Sequence, residues 1–286
     1  MIDQSRLFRE IGDHPSSLQS VLDALEIVDG ASKGNPEKLL LELGSTLNEL
    51  SGVFSTADDI TEALAATDAA INIFRRLGSE NREQYVSELA RSLNNLSNRL
   101  SELGDGLPAL EASREAVEIR RHLAAANPTR HEPDLAISPN NLSNRLSDAS
   151  DGAAAMEAIR EAVEIRRGLA AANPARFEPD LAASLNNQSN HLTNAGDLAA
   201  SLETIRESVE IRRRLAAANP ARFGPDLAMS IGAYGTLLRF QVRVEEAADA
   251  FRKGIALVRP HAERAPNGPY ARLLQNLERD LDRTLA

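Results

Sequence analysis

The sequence predicts an all-α fold, a stack of antiparallel helix pairs, and three observations predict it. The first is a repeated block. Residues 92–100 carry Asn94, Asn95 and Asn98 among leucines and serines. They return at 138–146 as Asn140, Asn141 and Asn144, and at 184–192 as Asn186, Asn187 and Asn190, a step of 46 residues (94 to 140 to 186). A fixed period of this size is the signature of stacked supersecondary units. The second is the spacing inside the block. Leu89, Leu93, Leu96 and Leu100 recur at three- and four-residue steps, one face of an α-helix, with Ser97 on the same stripe. The third is composition. Hydrophobic residues make up 42% of the 286 but aromatics only 3%, and Trp is absent. A core of Leu, Ala, Ile and Val suits closely packed helices and argues against an all-β fold.

The period runs through the chain. Ile27, Ile73, Ile119, Ile165 and Ile211 keep the step, and Leu257 follows. The plan is one repeat domain over 1–286, with acidic, degenerate repeats in 1–88 and near-identical repeats in 89–226. A degenerate repeat at 227–267 and a capping helix at 268–286 complete it. A truncated helix is expected at 2–12 with a partner at 15–30, then pairs 36–54 with 58–78 and 81–103 with 107–126. Pairs 134–149 with 152–172, 178–195 with 198–218, and 224–241 with 244–262 follow. In the clearest copy the first helix runs from about Glu83 to Leu103, and Gly104 supplies a left-handed cap, as Gly196 does two copies later. The second helix starts near Pro108 and buries Leu110, Ala112, Ala116, Ile119 and Leu123. Asn127-Pro128 should stop it, because proline cannot continue the hydrogen-bond ladder. After a connector, Pro133, Pro179 and Pro225 open the next first helix, each followed by an Asp that favours the helix dipole. Pro139 stands where its neighbours have Leu93 and Leu185, which predicts a break around 134–139. The last helix is expected at 268–285. Its charges at Arg272, Glu278, Arg279, Asp280, Asp282 and Arg283 suit a solvent-facing cap.

Leu93, Leu96, Ser97 and Leu100, then Gly104, then Ala109 and Ala116, resemble the tetratricopeptide repeat in order and size. Tyr234-Gly235 resembles that family's large-then-small pair more closely still. The long unit, with Leu93-Asn94-Asn95-Leu96 and Ala116-Val117-Glu118-Ile119-Arg120, is similar to the extended variety found in kinesin light chains and in bacterial signalling and defence proteins. That resemblance implies a right-handed α-solenoid (a TPR-like superhelix) whose first helices line a concave groove.

On a helical wheel Leu93, Leu96, Ser97 and Leu100 face the core. Arg91, Asn95, Asn98 and Glu102 fall opposite, with Asn94 and Arg99 flanking. An asparagine amide both donates and accepts, so it can pair with a peptide backbone whatever the side chain. The resemblance implies the same use. The expected peptide-binding set is Asn94, Asn95, Asn98, Asn140, Asn141, Asn144, Asn186, Asn187 and Asn190, bordered by Arg99, Arg145 and His191, which could meet acidic side chains. Two other uses stay open, bonding between adjacent first helices and neutral surface. Arg114, Glu118, Arg120, Arg121 and their copies are expected on the outer surface, in intrahelical pairs of about 0.2–0.5 kcal/mol each.

Charge and motif content exclude several classes. Net charge is −10, and residues 1–88 hold 16 acidic and 7 basic side chains. No basic stripe suits a phosphate backbone, so no nucleic-acid partner is expected. There is no Cys, and the five His lack metal-ligand spacing, so no metal or cofactor is expected. No phosphate loop or nucleophile motif appears, so the chain is not read as an enzyme. A helical-repeat enzyme is the least favoured alternative. No apolar run reaches the roughly 18 residues that span a bilayer, and no secretory pattern opens the chain, so a cytoplasmic, membrane-free protein is expected. The expected partner is a protein or peptide in the groove. A sensor or oligomerisation module of a bacterial assembly is the alternative, with a homodimer through terminal repeats as one form.

Overall fold

The computed structural model describes residues 36–56, 59–78, 83–266 and 268–286, with Gln19 and Asp23. The helices expected at 2–12 and 15–30 lie almost wholly outside the described residues. Among those residues every regular element is a helix. The chain divides into two compact units, residues 1–151 and 152–286.

The first unit holds α1 (Pro36–Thr56), α2 (Ile60–Gly78), α3 (Glu83–Glu102), α4 (Gly106–Ala126), α5 (Pro128–Leu135) and α6 (Ile137–Asp148). Consecutive helices pack on one another, and the first helices of successive repeats, α1 with α3 and α3 with α6, also touch. Its core runs from Leu43, Leu47, Leu50 and Phe54 of α1 to Phe74 of α2. A second cluster joins Ile71, Leu93, Ala112 and Ala116. The second unit holds α7 (Gly152–Ala172), α8 (Pro174–Asn194), α9 (Leu198–Ala218), α10 (Pro220–Phe240), α11 (Val244–Arg264) and α12 (Pro269–Leu285). The same pattern holds there, with α8 on α10 and α10 on α12. Leu238, Phe251 and Leu277 of three successive helices share one core.

The connectors depart from the sequence expectation. First helices begin at Pro174 and Pro220, five residues before Pro179 and Pro225, which lie inside them. The Asn-Pro pair that ends one helix also starts the next. Asn173 and Asn219 accept from the backbone N–H of Arg176 and Arg222 at 3.2 and 3.1 Å, and the proline takes a position whose N–H would be unpaired anyway. Pro179 forfeits the bond to the carbonyl of Ala175, an exposed residue of the first turn where water can serve that carbonyl.

The break expected near Pro139 is present. Where α8 and α10 run unbroken, the equivalent segment splits at Ala136 into α5 and α6. Pro139 has no N–H for the carbonyl of Leu135, and its ring crowds that carbonyl. The new helix starts at Ile137, so the proline sits in its first turn, two residues later than a cap at Ser138 would place it.

The turn from first to second helix follows one geometry four times. Gly104, Ser150, Gly196 and Val242 all have positive φ (85°, 62°, 81° and 59°). In each, the N–H of that residue reaches back three residues and the next N–H reaches back five, as in Asp105 to Leu100 at 2.8 Å and Arg243 to Leu238 at 3.0 Å. This is the Schellman arrangement. A β-branched residue is strained there, and Val242 is 79% exposed, so its side chain contributes little packing. Val242→Gly should therefore raise stability by about 1 kcal/mol, after allowing for glycine's extra unfolded-state freedom. An unchanged denaturation midpoint would contradict this.

The arginines expected on the outer surface are corrected by burial. Arg120, Arg166 and Arg212 are among the most buried polar residues. Arg212 donates to the carbonyl of Asp226 and to Ser230 Oγ, both at 2.7 Å, and Arg166 does the same to Asp180 (3.0 Å) and Ser184. Each ties a second helix to the following first helix. Burial pushes both guanidiniums below their ordinary value, and the carboxylates of Asp180 and Asp226 partly offset it.

Candidate functional site

The twelve residues expected to bind ligand separate by position. Asn94 and Asn186 are buried and bond between repeats. Asn94 Nδ2 donates to Ser138 Oγ at 2.7 Å, and Ser230 Oγ donates to Asn186 Oδ1 at 3.2 Å. Asn48, one period earlier, accepts from Ser92 at 2.9 Å. The alternative of bonding between adjacent first helices therefore describes this position. Asn140 is half-buried.

Asn95, Asn98, Asn141 and Asn144 are half-buried, and their amides carry no hydrogen-bond partner among the described residues. Asn187 is half-buried and Asn190 exposed. Arg99 and Arg145 lie mostly buried against their own helices, facing Glu102 at 3.3 Å and Asp148 at 3.6 Å. His191 is buried.

Within the first unit, α3 and α6 bring Asn94, Asn95, Asn98 and Asn141 to one cavity of about 270 Å³. Asn144, Arg99 and Arg145 do not line it. Arg91 and Glu88 of α3 do, joined to each other as an ion pair. So do Arg120 of α4 and Asp134 of α5, paired at 3.0 Å. The cavity's charges thus cancel in pairs, while the half-exposed amides on its wall remain open to a donor or an acceptor.

The helix break shapes this cavity. In the intact copies the buried arginine takes a backbone carbonyl and a serine of the next first helix. In this copy Arg120 takes the Asp134 carboxylate instead, and Ser138 is engaged by Asn94. The Nε of Arg120 and the Nε of Arg91 are left without hydrogen-bond partners. Glu88, Arg91, Arg120 and Asp134 lie outside the expected binding set, though the wheel puts Arg91 on the asparagine face. The available signal was the register, since Arg120, Arg166 and Arg212 each stand 18 residues before a serine of the repeated block.

No group of three or more His, Asp or Glu among the described residues is placed to hold a metal. No helix of the described residues is long and apolar enough to cross a membrane.

Comparison with known proteins agrees with this architecture. Residues 89–127 match the family model of the tetratricopeptide repeat. No curated protein matches the sequence. Among solved structures, BtubC (BKLC) from P. vanneervenii is 19% identical with a TM-score of 0.58, over 79% of this chain and 89% of that one. Nearly identical TPR-like repeats of a kinesin light chain-like protein from Podosopora anserina are 17% identical with a TM-score of 0.57, over 82% and 99%. The apo form of RapI is 13% identical with a TM-score of 0.57, over 99% and 97%. The helix pairs, their caps and these similarities show a tetratricopeptide-repeat-like fold, with residues 89–127 matching the repeat itself.

Proposed function

We propose that this chain is a non-catalytic scaffold that holds an extended peptide segment of a partner protein against its first helices. Asn95, Asn98 and Asn141 of the first unit pair with the peptide's backbone, with Asn144 offering a further contact there, and Asn187 and Asn190 are the equivalent positions of the second unit. Asn94, Asn140 and Asn186 set the spacing of the helices that carry them. The observation that supports this reading is the convergence of unpartnered amides on the cavity between α3 and α6. An amide there meets both a carbonyl and an N–H, and each neutral bond contributes about 1 kcal/mol net. Helix propensity gives no reason for asparagine at these positions.

The test is selection of a random displayed peptide library on the full chain. Peptides enriched on the parent should bind the Asn95→Ala/Asn141→Ala variant about thirtyfold more weakly, the sum of two such bonds, with an unchanged helical circular-dichroism signal. Equal binding by a well-folded variant removes the asparagines from the site.

A further inference from the structure

A second cavity lies in the other unit, between the second helices α9 and α11, with α10 as its floor. Its volume is about 490 Å³, inside the range of roughly 300–1,000 Å³ usual for small-molecule sites. Its rim departs from a periodic feature of the second helices.

Neighbouring second helices are strapped by an ion pair 40 residues apart in sequence. Arg75 of α2 holds Glu115 of α4 at 3.0 Å, and Arg167 of α7 holds Glu207 of α9 at 2.9 Å. One repeat after Arg167 the same register gives Arg213 on α9 and Lys253 on α11, two cations where the strap requires opposite signs. A further strap joins Arg214 to Glu178 at 2.7 Å. One repeat on, its positions are Pro260 and Gly224. The first strap is therefore lost across the α9–α11 groove and the second between α10 and α11, and α10 forms an apolar floor of Ile231, Tyr234 and Leu238 between Val209 and Ala250.

The charges on the rim differ from end to end. Glu246 is hydrogen-bonded by Arg243 at 2.8 and 2.6 Å, and Arg206 stacks toward the Tyr234 ring with its guanidinium 5.8 Å from the centroid. Asp249 is held by Lys253 at 2.6 Å. Glu210 and Glu245 complete the acidic part of the rim. Arg213 has no ion-pair partner within the described residues, and Lys253 faces it across the missing strap.

We propose that this cavity is a binding site for a small organic acid with an apolar body. Its carboxylate bridges Arg213 and Lys253 in place of the lost glutamate, and its body lies along Ile231, Tyr234 and Leu238. This site is independent of the asparagine face and of the peptide reading. A carboxylate between two cations makes charge-assisted hydrogen bonds, which are roughly twice as strong as neutral ones. An alcohol of the same shape has only the floor to hold it, and an amine finds no acceptor between Arg213 and Lys253 and must turn toward Glu210 and Glu245.

The experiment titrates phenylbutyrate, phenylbutanol and phenylbutylamine into the methyl-labelled full chain, observed by NMR. Phenylbutyrate should shift the methyl signals of Val209, Ile231, Leu238 and Ala250, binding at least about tenfold more tightly than the alcohol or the amine. Lys253→Glu rebuilds the strap to Arg213. It should lose the acid by about tenfold or more while melting no lower than the parent. The exposed Arg213→Gln should lose it similarly without rebuilding the strap. The proposal is overturned if no methyl in this group shifts, if amine or alcohol binds as well as the acid, or if Lys253→Glu retains the acid at parental strength.

Discussion

Phe251→Ala should lower stability by about 4 kcal/mol, the largest effect of any substitution considered for this chain. Phe251 is fully buried in α11, where it fills the space left by a glycine of α10. A Cβ at Gly235 would lie 3.0 Å from the Phe251 ring. The register explains the pairing. Position 235 corresponds to Ser51, Ser97, Ser143 and Ser189, all buried, and position 251 corresponds to Thr67, Ser113, Ile159 and Ile205. In the first repeat two small hydroxyl residues meet and bond, Ser51 to Thr67 at 2.6 Å. In the last the smaller partner is glycine and the larger is phenylalanine. Removing the ring leaves a void that Gly235 cannot fill, so transfer and cavity costs add. Phe251→Ile, which installs the residue found at 205, should cost well under half as much. Equilibrium denaturation of both variants checks the order. Equal losses would show that the volume argument fails.

Pro139→Leu should raise stability by about 2–3 kcal/mol, because the residue restores an N–H to the helix and removes the clash with the carbonyl of Leu135. Leucine stands at 93 and 185, so the core of the repeat has a precedent for it. The expected structural outcome is one helix in place of α5 and α6. The Asp134 carbonyl and Ser138 hydroxyl should then meet Arg120, as Asp180 and Ser184 meet Arg166. The cavity between α3 and α6 has Asp134 and Ile137 in its wall, so peptide binding there should weaken while the protein as a whole grows more stable. Amide hydrogen exchange across Leu135–Pro139 and a denaturation curve test the two halves. No gain in stability would mean that the break is not a local strain.

How much of this was legible in the residues depends on what each residue type signals. The helix pairs, the glycine caps at Gly104 and Gly196, and the break at Pro139 all rest on residues with few conformational options, and they are found where the spacing puts them. Asn127-Pro128 misled, because a proline after an asparagine reads equally as the stop of one helix and the capped start of another. Only the folded backbone shows both uses at once. Arg120 and Arg121 are adjacent and identical in type, yet Arg120 is buried and Arg121 is not. About 100° of helix rotation separates neighbours, and the wheel has no knowledge of the next repeat. The same rotation divides Asn94, whose amide is spent on Ser138, from Asn95, whose amide stays open, though both line the cavity. The candidate face was therefore readable as a stripe of asparagines. Its division into structural and open amides, and the arginine–carboxylate pairs around it, belong to contacts between repeats.

The asparagine–serine bonds have a consequence for how the chain comes to be folded. Ser92 with Asn48, Asn94 with Ser138, and Ser230 with Asn186 are each 44 residues apart, and the longest side-chain bonds described, such as His131 with Glu83, span 48. Contacts of such modest sequence separation close short loops, and low contact order goes with rapid folding. A repeat emerging during synthesis finds its bonding partners in the one just before it, without waiting for the far end of the chain. Among the described residues, ordering can therefore proceed from the first repeats toward the last.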